Sequence, residues 1–384
     1  MIMNRYKCGL VAVSFVIFSC AACANGSGGI KSSSQGSVAS QAMTVSSGQT
    51  NPMHIKKSLG TNLSIGADID SRGVVDAVKI LKAKAFTVNK DKLVDALIKP
   101  NKVIKTAQHG KGNSISFEYI TADSTLEAGS EIFFETTFCK DYLPYLLCTD
   151  KTASWYSADQ YSRTSNLPFA TRASAVAAIT KMLKSLGVNI SQTYEGYSLD
   201  YKTMEKVQQL DKKDKDIAEN IKGGAIMIKS HWSADDDLYY FIFHPRFGSL
   251  MIDQDNHGPE DASINGSYIE LCYSKRGVEL LRNSFLYTQI GEDRKDSKII
   301  DSSAALQAVA NKFKTMIVTD PIKITHIRLC YVAAYIDSSH INYNLIPAWR
   351  FDAEQSKTDK KGLNTTTVTS TFAIIINAIT GKEI

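Results

Sequence analysis

The chain of 384 residues is 43% hydrophobic and 22% charged, which suffices for one large hydrophobic core or two ordinary ones. Its formal net charge is +5, and two of its basic residues, Arg5 and Lys7, belong to a leader that export would remove. This weak basic charge, without a stripe of Arg and Lys interleaved with aromatic residues, argues against a nucleic-acid partner.

The N-terminal residues have the pattern of an export signal. An apolar run from Leu10 to Phe18 follows Arg5 and Lys7; it has the length of a secretory h-region and is too short to cross a bilayer as a helix. Ile17-Phe18-Ser19-Cys20 comes next and resembles a bacterial lipobox. We therefore expect residues 1–19 to be a lipoprotein signal peptide. Cys20 would then carry a diacylglyceryl group that anchors the protein to the outer side of the cell membrane.

Cys23 is the alternative site of lipid attachment, since the small residues Ala21 and Ala22 precede it. The aliphatic Ile17, three residues before Cys20, favours Cys20. The other interpretation is an ordinary cleaved signal with incidental cysteines.

The residues after the leader predict a tether and two domains. Residues 20–59 are dominated by Gly, Ser, Gln and Asn and have no apolar periodicity, as in a flexible linker. A second polar run, Asp253 to Gly266, predicts a surface loop or a link between domains. We therefore predict one domain at 60–255 and another at 266–384.

The first domain is predicted to mix helices and strands. Apolar residues at helical spacing predict helices over Gly73–Phe86, Lys90–Ile98 and Ser174–Leu186. Alternating or continuous apolar runs predict strands near 115–119, 132–138, 224–229, 238–244 and 249–252.

The second domain is predicted to begin with strands over Tyr268–Tyr273 and Val278–Gln289. A helix follows, in which Leu306 and Val309 repeat at helical spacing after the capping residue Asp301. Three strands near 327–335, 341–351 and 368–384 complete the chain. This order predicts the α+β fold class, with both domains built from helix-plus-antiparallel-sheet units.

Three segments resemble the final domain of uncharacterised lipoproteins of clostridia and related Gram-positive bacteria. They are Tyr273-Ser274-Lys275-Arg276-Gly277, Leu345-Ile346-Pro347-Ala348-Trp349-Arg350-Phe351 and Ile376-Asn377-Ala378-Ile379-Thr380-Gly381. More distantly, this last third of the chain is similar to the YycH/YycI regulatory proteins and to PepSY-like modules. The resemblance implies small α+β units outside the membrane. YycH and YycI are anchored to the membrane by a transmembrane helix, whereas this chain is expected to be anchored by lipid. The resemblance therefore does not imply that this chain regulates a partner through contacts within the membrane.

One aromatic residue and four cysteines are candidates for special roles. Trp349 lies in an apolar strand, which favours a core position over an exposed aromatic that binds a peptide or glycan. Cys139 and Cys148 are close enough in sequence to predict a disulfide across the loop that contains Pro144. Cys272 and Cys330 lie in alternating apolar strands, which favours two buried thiols over a second disulfide.

The sequence lacks the H-E-x-x-H and G-x-S-x-G motifs of common hydrolases. The run Asp253-Gln254-Asp255-Asn256-His257-Gly258 imitates the opening of a calcium loop, but Ile264 stands where a bidentate Glu is expected. We therefore predict no metal site and no cofactor. The residues Asp235, Asp237, His231 and His244 would favour an enzyme only if the fold gathered them in one cleft.

The predicted function is that of an extracytoplasmic binding or regulatory lipoprotein that is not an enzyme. Its partner would be a membrane or envelope protein, contacted through the face or edge of a sheet. Two alternatives stay open: an envelope-polymer hydrolase or metal-dependent enzyme of unfamiliar type, and a carrier that holds a small ligand between the domains.

Overall fold

The structure, a computed structural model, describes residues 53–70, 77–98, 102–110, 116–129, 131–149, 156–256, 266–293, 297–336, 342–361 and 364–384. The predicted signal peptide, both candidate lipidation sites and most of the predicted tether lie outside these residues. The end of that tether was predicted wrongly, because Met53–Gly60 forms a strand that pairs along its length with Leu63–Asp70. No helix within the described ranges is both long and apolar enough to span a membrane.

A seven-stranded sheet combines strands from the two ends of the described chain. Numbered along the chain, its strands are β1 (Met53–Gly60), β2 (Leu63–Asp70), β4 (Leu81–Ala85), β14 (Tyr287–Glu292), β16 (Ile322–Tyr335), β17 (Asn342–Lys361) and β18 (Asn364–Asn377). Their order is β1-β2-β16-β17-β4-β14, and β18 also pairs with the long β17. The β2–β16 pair is parallel and the other pairs are antiparallel.

One face of the seven-stranded sheet packs against helix α6 (Ser302–Lys314). In β2 the buried and more exposed residues alternate, as the two faces of a strand require. The Asp301 carboxylate caps α6 by accepting a hydrogen bond of 2.7 Å from the Ala304 backbone. The core on this face includes Leu63, Ile65, Leu306, Val309, Ile327, Trp349 and Phe351.

A nine-stranded antiparallel sheet is formed by the middle of the chain. Its strands are β5 (Lys105–His109), β6 (Ser116–Ile120), β7 (Ser124–Ala128), β8 (Ile132–Thr136), β9 (Ile190–Leu199), β10 (Leu238–Phe247), β11 (Leu250–Met251), β12 (Ile269–Ser274) and β13 (Gly277–Asn283). They run in the order β11-β10-β12-β13-β8-β7-β6-β5, and β9 also pairs with β10. Two short strands, β3 (Ala77–Val78) and β15 (Ser297–Lys298), pair with each other.

Helices pack on both faces of the nine-stranded sheet. On one face lie α1 (Lys90–Leu97) and α3 (Arg172–Ser185), which contact Phe134, Phe241 and Leu271 of the sheet as parts of one core. On the other lie α2 (Thr137–Leu146) and α4 (Tyr201–Asp211), in a core with Tyr240, Cys272 and Leu280. A short helix, α5 (Lys215–Lys222), follows α4.

The predicted α+β fold class is confirmed. Each sheet, however, contains strands from both of the predicted domains, 60–255 and 266–384. β12 and β13 follow the predicted link, yet β12 pairs with β10 and β13 pairs with β8 in the nine-stranded sheet. Conversely, β2 and β4 precede that link and lie in the seven-stranded sheet with β16 and β17.

Several predicted elements were wrong in type. In place of the helix over Gly73–Phe86, the described part of that segment forms β3 and β4, because Leu81 and Ala83 are buried while Lys82 and Lys84 are exposed. Residues 224–229 form no strand, and the strand predicted to reach Phe138 gives way to α2 at Thr137.

The two sheets meet through the hairpin of β10 and β11. Gly248 turns this hairpin with φ 57°, a left-handed conformation that favours glycine. Beyond β11, Ile252 forms a parallel bridge with Tyr331 of β16, and the Asp253 backbone N–H donates to the Tyr331 carbonyl at 2.8 Å. The chain after β11 thus leaves the nine-stranded sheet and pairs with β16 of the seven-stranded sheet. It does so just beyond Arg328, the last residue of β16 that pairs with β2.

Candidate functional site

A cluster of five charged side chains lies at this junction, on the face of the seven-stranded sheet opposite α6. We call it the Arg–Asp cluster. Three of the side chains, Arg328, Arg350 and Asp352, alternate along β16 and β17 with the core residues of the α6 face, so the pleat of the strands turns them to this side. Its members are Asp253, Asp255, Arg328, Arg350 and Asp352.

Arg350 is the centre of the cluster, with only 5% of its side chain exposed. Its Nη1 atom donates to both carboxylate oxygens of Asp253 at 2.8 Å, and its Nε atom donates to Asp352 at 2.6 Å. Its Nη2 atom donates to Asp255. All three nitrogens of the guanidinium therefore have a carboxylate partner.

Arg328 and His244 complete the surroundings of these carboxylates. The Arg328 guanidinium lies 3.7 Å from Asp253 and 3.4 Å from Asp352, and pairs with Arg350 across the strands. The Nδ1 atom of His244 and the Nε atom of Arg328 are both buried without a hydrogen-bond partner in the structure.

The surroundings shift the pKa values of Arg350 and of the neighbouring His244. Burial alone would lower the pKa of Arg350, but Asp253, Asp352 and Asp255 together raise it above its ordinary value. Burial and the nearby Arg328 lower the pKa of His244 to about 4, so this histidine is neutral at pH 7. The cluster is thus a largely buried network of ion pairs whose members come from both sheets.

The calcium-like run predicted from sequence takes part in this network. Its first two carboxylates, Asp253 and Asp255, bind the Arg350 guanidinium, which takes the place that a cation would have. His257 and Ile264 lie outside the described residues. Across the described ranges, no three His, Cys, Asp or Glu side chains are placed to hold a metal ion.

The four residues that would favour an enzyme each have other surroundings. Asp235 is exposed and accepts a hydrogen bond from Lys275, which lowers its pKa. Asp237 is buried and accepts from the Tyr201 backbone at 2.7 Å, at the start of α4. His231 is exposed. His244 is buried in the extended strand β10, about 20 Å from Leu238 at the start of that strand. The extended strand β10 therefore keeps Asp237 and His244 apart.

Trp349 is a core residue, the position that its apolar strand favoured, and it is not the exposed binding aromatic that was the alternative. It is 2% exposed and packs on the α6 face of the seven-stranded sheet. Its indole Nε1–H donates to the Ile300 carbonyl at 2.9 Å, which satisfies its one polar group.

The predicted disulfide between Cys139 and Cys148 is absent, because all four described cysteines are free thiols. Cys139 lies in the first turn of α2 and Cys148 follows the end of that helix. A helix rises about 1.5 Å per residue, so the two residues are further apart than a disulfide can join. Cys272 and Cys330 are fully buried, as predicted for thiols in apolar strands.

A second candidate site is the groove along β1, the edge strand of the seven-stranded sheet. The groove has a volume of about 400 Å³, and four of its lining residues are basic: His54, Lys56, Lys57 and Lys323. A Cβ atom on Gly66 would lie 3.2 Å from the Lys323 Cε, so this glycine lets the lysine stem cross β2. We call this surface the basic edge.

Comparison with known proteins shows the fold alone. No protein-family model matches the sequence, and no curated protein matches it. Nine chains of solved structures match. The crystal structure at 1.45 Å resolution of an uncharacterized protein from Eubacterium rectale ATCC 33656 superposes with a TM-score of 0.64 at 19% identity. The match covers 87% of this chain and 93% of that one.

Proposed function

We propose that the protein is a lipid-anchored extracytoplasmic binding protein that regulates a membrane or envelope partner through its basic edge. The observation that carries the proposal is that β1 is an edge strand. It pairs with β2 on one side, and among the described residues no strand pairs with its other side. An unpaired edge offers backbone N–H and C=O groups to an extended segment of another protein.

The charges of this edge define the kind of segment that fits it. Lys56, Lys57 and Lys323 contribute three positive charges around the groove, and Asp68 is bound to the ring of His54 at 2.8 Å. A second copy of the chain would bring the same positive charges to the edge and be repelled. An acidic extended segment would pair with the edge and neutralise the lysines.

The position of the edge in the chain suits a partner in or near the membrane. In the proposal Cys20 carries the lipid, and 32 residues separate it from Met53 at the start of β1. A flexible segment of this length has a root-mean-square span of about 30 Å. The basic edge would therefore be held within reach of proteins that project from the same membrane.

Neither alternative function has comparable support. An enzyme would need reacting groups in one place, whereas Asp235, Asp237 and His244 have separate partners or surroundings. A carrier would need an apolar pocket at the junction of the sheets, and there the space is taken by the Arg–Asp cluster and by a small core that contains Cys330 and Ile375.

The proposal is tested by photocrosslinking in cells. A photoreactive amino acid is placed at Ser58 of β1 in the full-length lipoprotein, and a control probe at Gln108 of β5, which is an exposed edge position of the other sheet. We expect an adduct of defined mass from Ser58 and none from Gln108. Adducts of equal yield from both positions would contradict the proposal.

Charge reversal identifies the basic edge as the cause. The double change Lys56→Glu/Lys57→Glu should reduce the Ser58 adduct at least tenfold. The matched control is Lys82→Glu/Lys84→Glu, which reverses two exposed lysines of the inner strand β4 and should leave the adduct unchanged. An adduct that survives the reversal in β1 would show that the partner does not read these charges.

A further inference from the structure

We propose that Cys139 and Cys272 are a disulfide-forming pair that links helix α2 to strand β12. Both thiols are buried in the same core on one face of the nine-stranded sheet. Burial, and after it the neighbouring thiol of Cys139, raise the pKa of Cys272 above its ordinary value, as expected for two adjacent buried thiols. This pairing differs from both pairs that the sequence offered, and it is independent of the function proposed for the basic edge.

The strand register brings the two residues together. Cys272 of β12 lies opposite Leu280 of β13, and Leu280 lies opposite Glu135 of β8. Cys139 comes four residues after Glu135, in the first turn of α2, which packs back over this face of the sheet. The helix therefore places its first buried side chain above the strand that carries Cys272.

A buried carboxylate holds this arrangement in place. Glu279 of β13, 2% exposed, accepts a hydrogen bond of 2.8 Å from Thr136 and one of 2.5 Å from Ser274. The Thr136 hydroxyl also caps α2, since it accepts from the Cys139 backbone N–H at 3.4 Å. Ser274 lies two residues after Cys272. The Glu279 carboxylate therefore binds one residue close to each cysteine, and this holds the start of α2 against β12.

The other two cysteines lack such an arrangement. Cys148 lies beyond the end of α2, where its backbone N–H donates to the Ser157 hydroxyl at 2.9 Å. Cys330 lies in a different core, on the seven-stranded sheet, where its thiol contacts the Ala348 carbonyl at 3.7 Å. The pair is therefore specific to Cys139 and Cys272.

The reaction is thiol–disulfide exchange with an external disulfide, either a small molecule or a protein oxidant. One cysteine thiolate attacks the external disulfide and releases one of its sulfurs as a thiolate. The second cysteine thiolate then attacks the protein sulfur of this mixed disulfide and releases the other external thiolate. The external disulfide gains two electrons, and the two cysteines lose two electrons and two protons.

The bond should form as the chain folds and then persist. Burial raises the pKa of Cys272 well above its ordinary value, so in the folded protein the thiolate that exchange requires is rare. An oxidising environment during folding, as export would provide, is the condition for the bond.

Peptide mapping tests the pair on the unaltered full-length chain. The protein is refolded with oxidised glutathione, its remaining thiols are alkylated in denaturant, and its peptides are identified by mass spectrometry without reduction. We expect a linked pair of peptides that contain Cys139 and Cys272, with Cys148 and Cys330 alkylated. Alkylated Cys139 and Cys272, or a link from either one to another cysteine, would overturn the inference.

A stability readout complements the map. The bond would close a loop of more than a hundred residues, so reduction should lower the Tm of the oxidised protein by about 6 °C. Cys330→Ser is the matched control, since it removes a buried thiol outside the pair and should keep the shift. A reductant that leaves the Tm of the refolded, glutathione-treated protein unchanged would contradict the bond.

Discussion

Arg350 and Asp253 are joined by two hydrogen bonds of 2.8 Å across 97 residues of sequence. Arg350 stands in β17, in the middle of the seven-stranded sheet, while Asp253 follows β11 of the nine-stranded sheet. This buried ion pair therefore fixes the two sheets to each other, and its removal is expected to affect the whole molecule.

Replacing the arginine should be costly. Arg350→Met leaves Asp253 buried without its main counter-charge, and we expect a loss of about 4 kcal/mol in the free energy of unfolding, measured with urea. Lys275→Met is the matched control, because it breaks an ion pair with the exposed Asp235, which solvent screens, and should leave the free energy of unfolding nearly unchanged. Equal losses in the two variants would contradict the role of the cluster.

His244 should make stability depend on pH. Its pKa is about 4 in the folded protein, below the ordinary 6.5, so the unfolded chain binds the proton more readily. The stabilisation is complete above pH 6.5 and is lost as the pH falls towards 4, by about 3 kcal/mol. His244→Gln removes this contribution. Urea unfolding at several pH values should show a smaller loss for the variant over this window, and identical slopes would be inconsistent with the burial of a neutral histidine.

The two described tryptophans should respond differently to the same change. Trp349→Phe removes the hydrogen bond to the Ile300 carbonyl and leaves a gap in the core, so we expect a loss of about 2 kcal/mol in the free energy of unfolding. The Trp232 indole Nε1 has no hydrogen-bond partner in the structure, so Trp232→Phe loses only packing. We expect it to lower the free energy of unfolding by about 1 kcal/mol. The reverse order of losses would disprove the account of Trp349.

Lipid attachment is tested by substitution at the two candidate cysteines. Cys20→Ser should abolish lipidation, and the protein should leave the membrane fraction, because two acyl chains provide the lasting attachment. Cys23→Ser should leave both unchanged. Mass spectrometry of the N-terminal peptide and fractionation of cells measure the two outcomes, and the opposite result would move the anchor to Cys23.

The sequence predicted the elements with strong local signals. In α3, Ile179 and Leu183 repeat at helical spacing, and in β16 apolar residues recur at every second position from Ile327 to Tyr335, so both were predicted from short stretches. Leu81 and Ala85 fit a helical period as well as a strand, and the alternation with Lys82 and Lys84 was the signal that decides. The helix α4 is marked by Asp200, which caps it through Thr203, a signal that its many charged residues obscured.

The candidate sites were beyond local reasoning. Two of the three carboxylates that bind Arg350, those of Asp253 and Asp255, come from a segment almost a hundred residues away, and no pattern around Asp253 distinguishes a guanidinium partner from a metal ion. An arginine inside the apolar run of β17 was the one hint of a buried ion pair. Likewise, Cys139 and Cys272 are brought together by the pairing of β8, β13 and β12, which spacing along the chain does not show.

The central claim, that a partner pairs with the basic edge, is tested most directly by hydrogen exchange. The exchange of backbone amides is measured on the full-length protein in membranes of the cells that produce it and after extraction in detergent. We predict that amides of β1 exchange at least tenfold more slowly in the membranes, while those of β5, the edge of the other sheet, exchange equally in both. Exchange of β1 at the same rate in both preparations would contradict the claim.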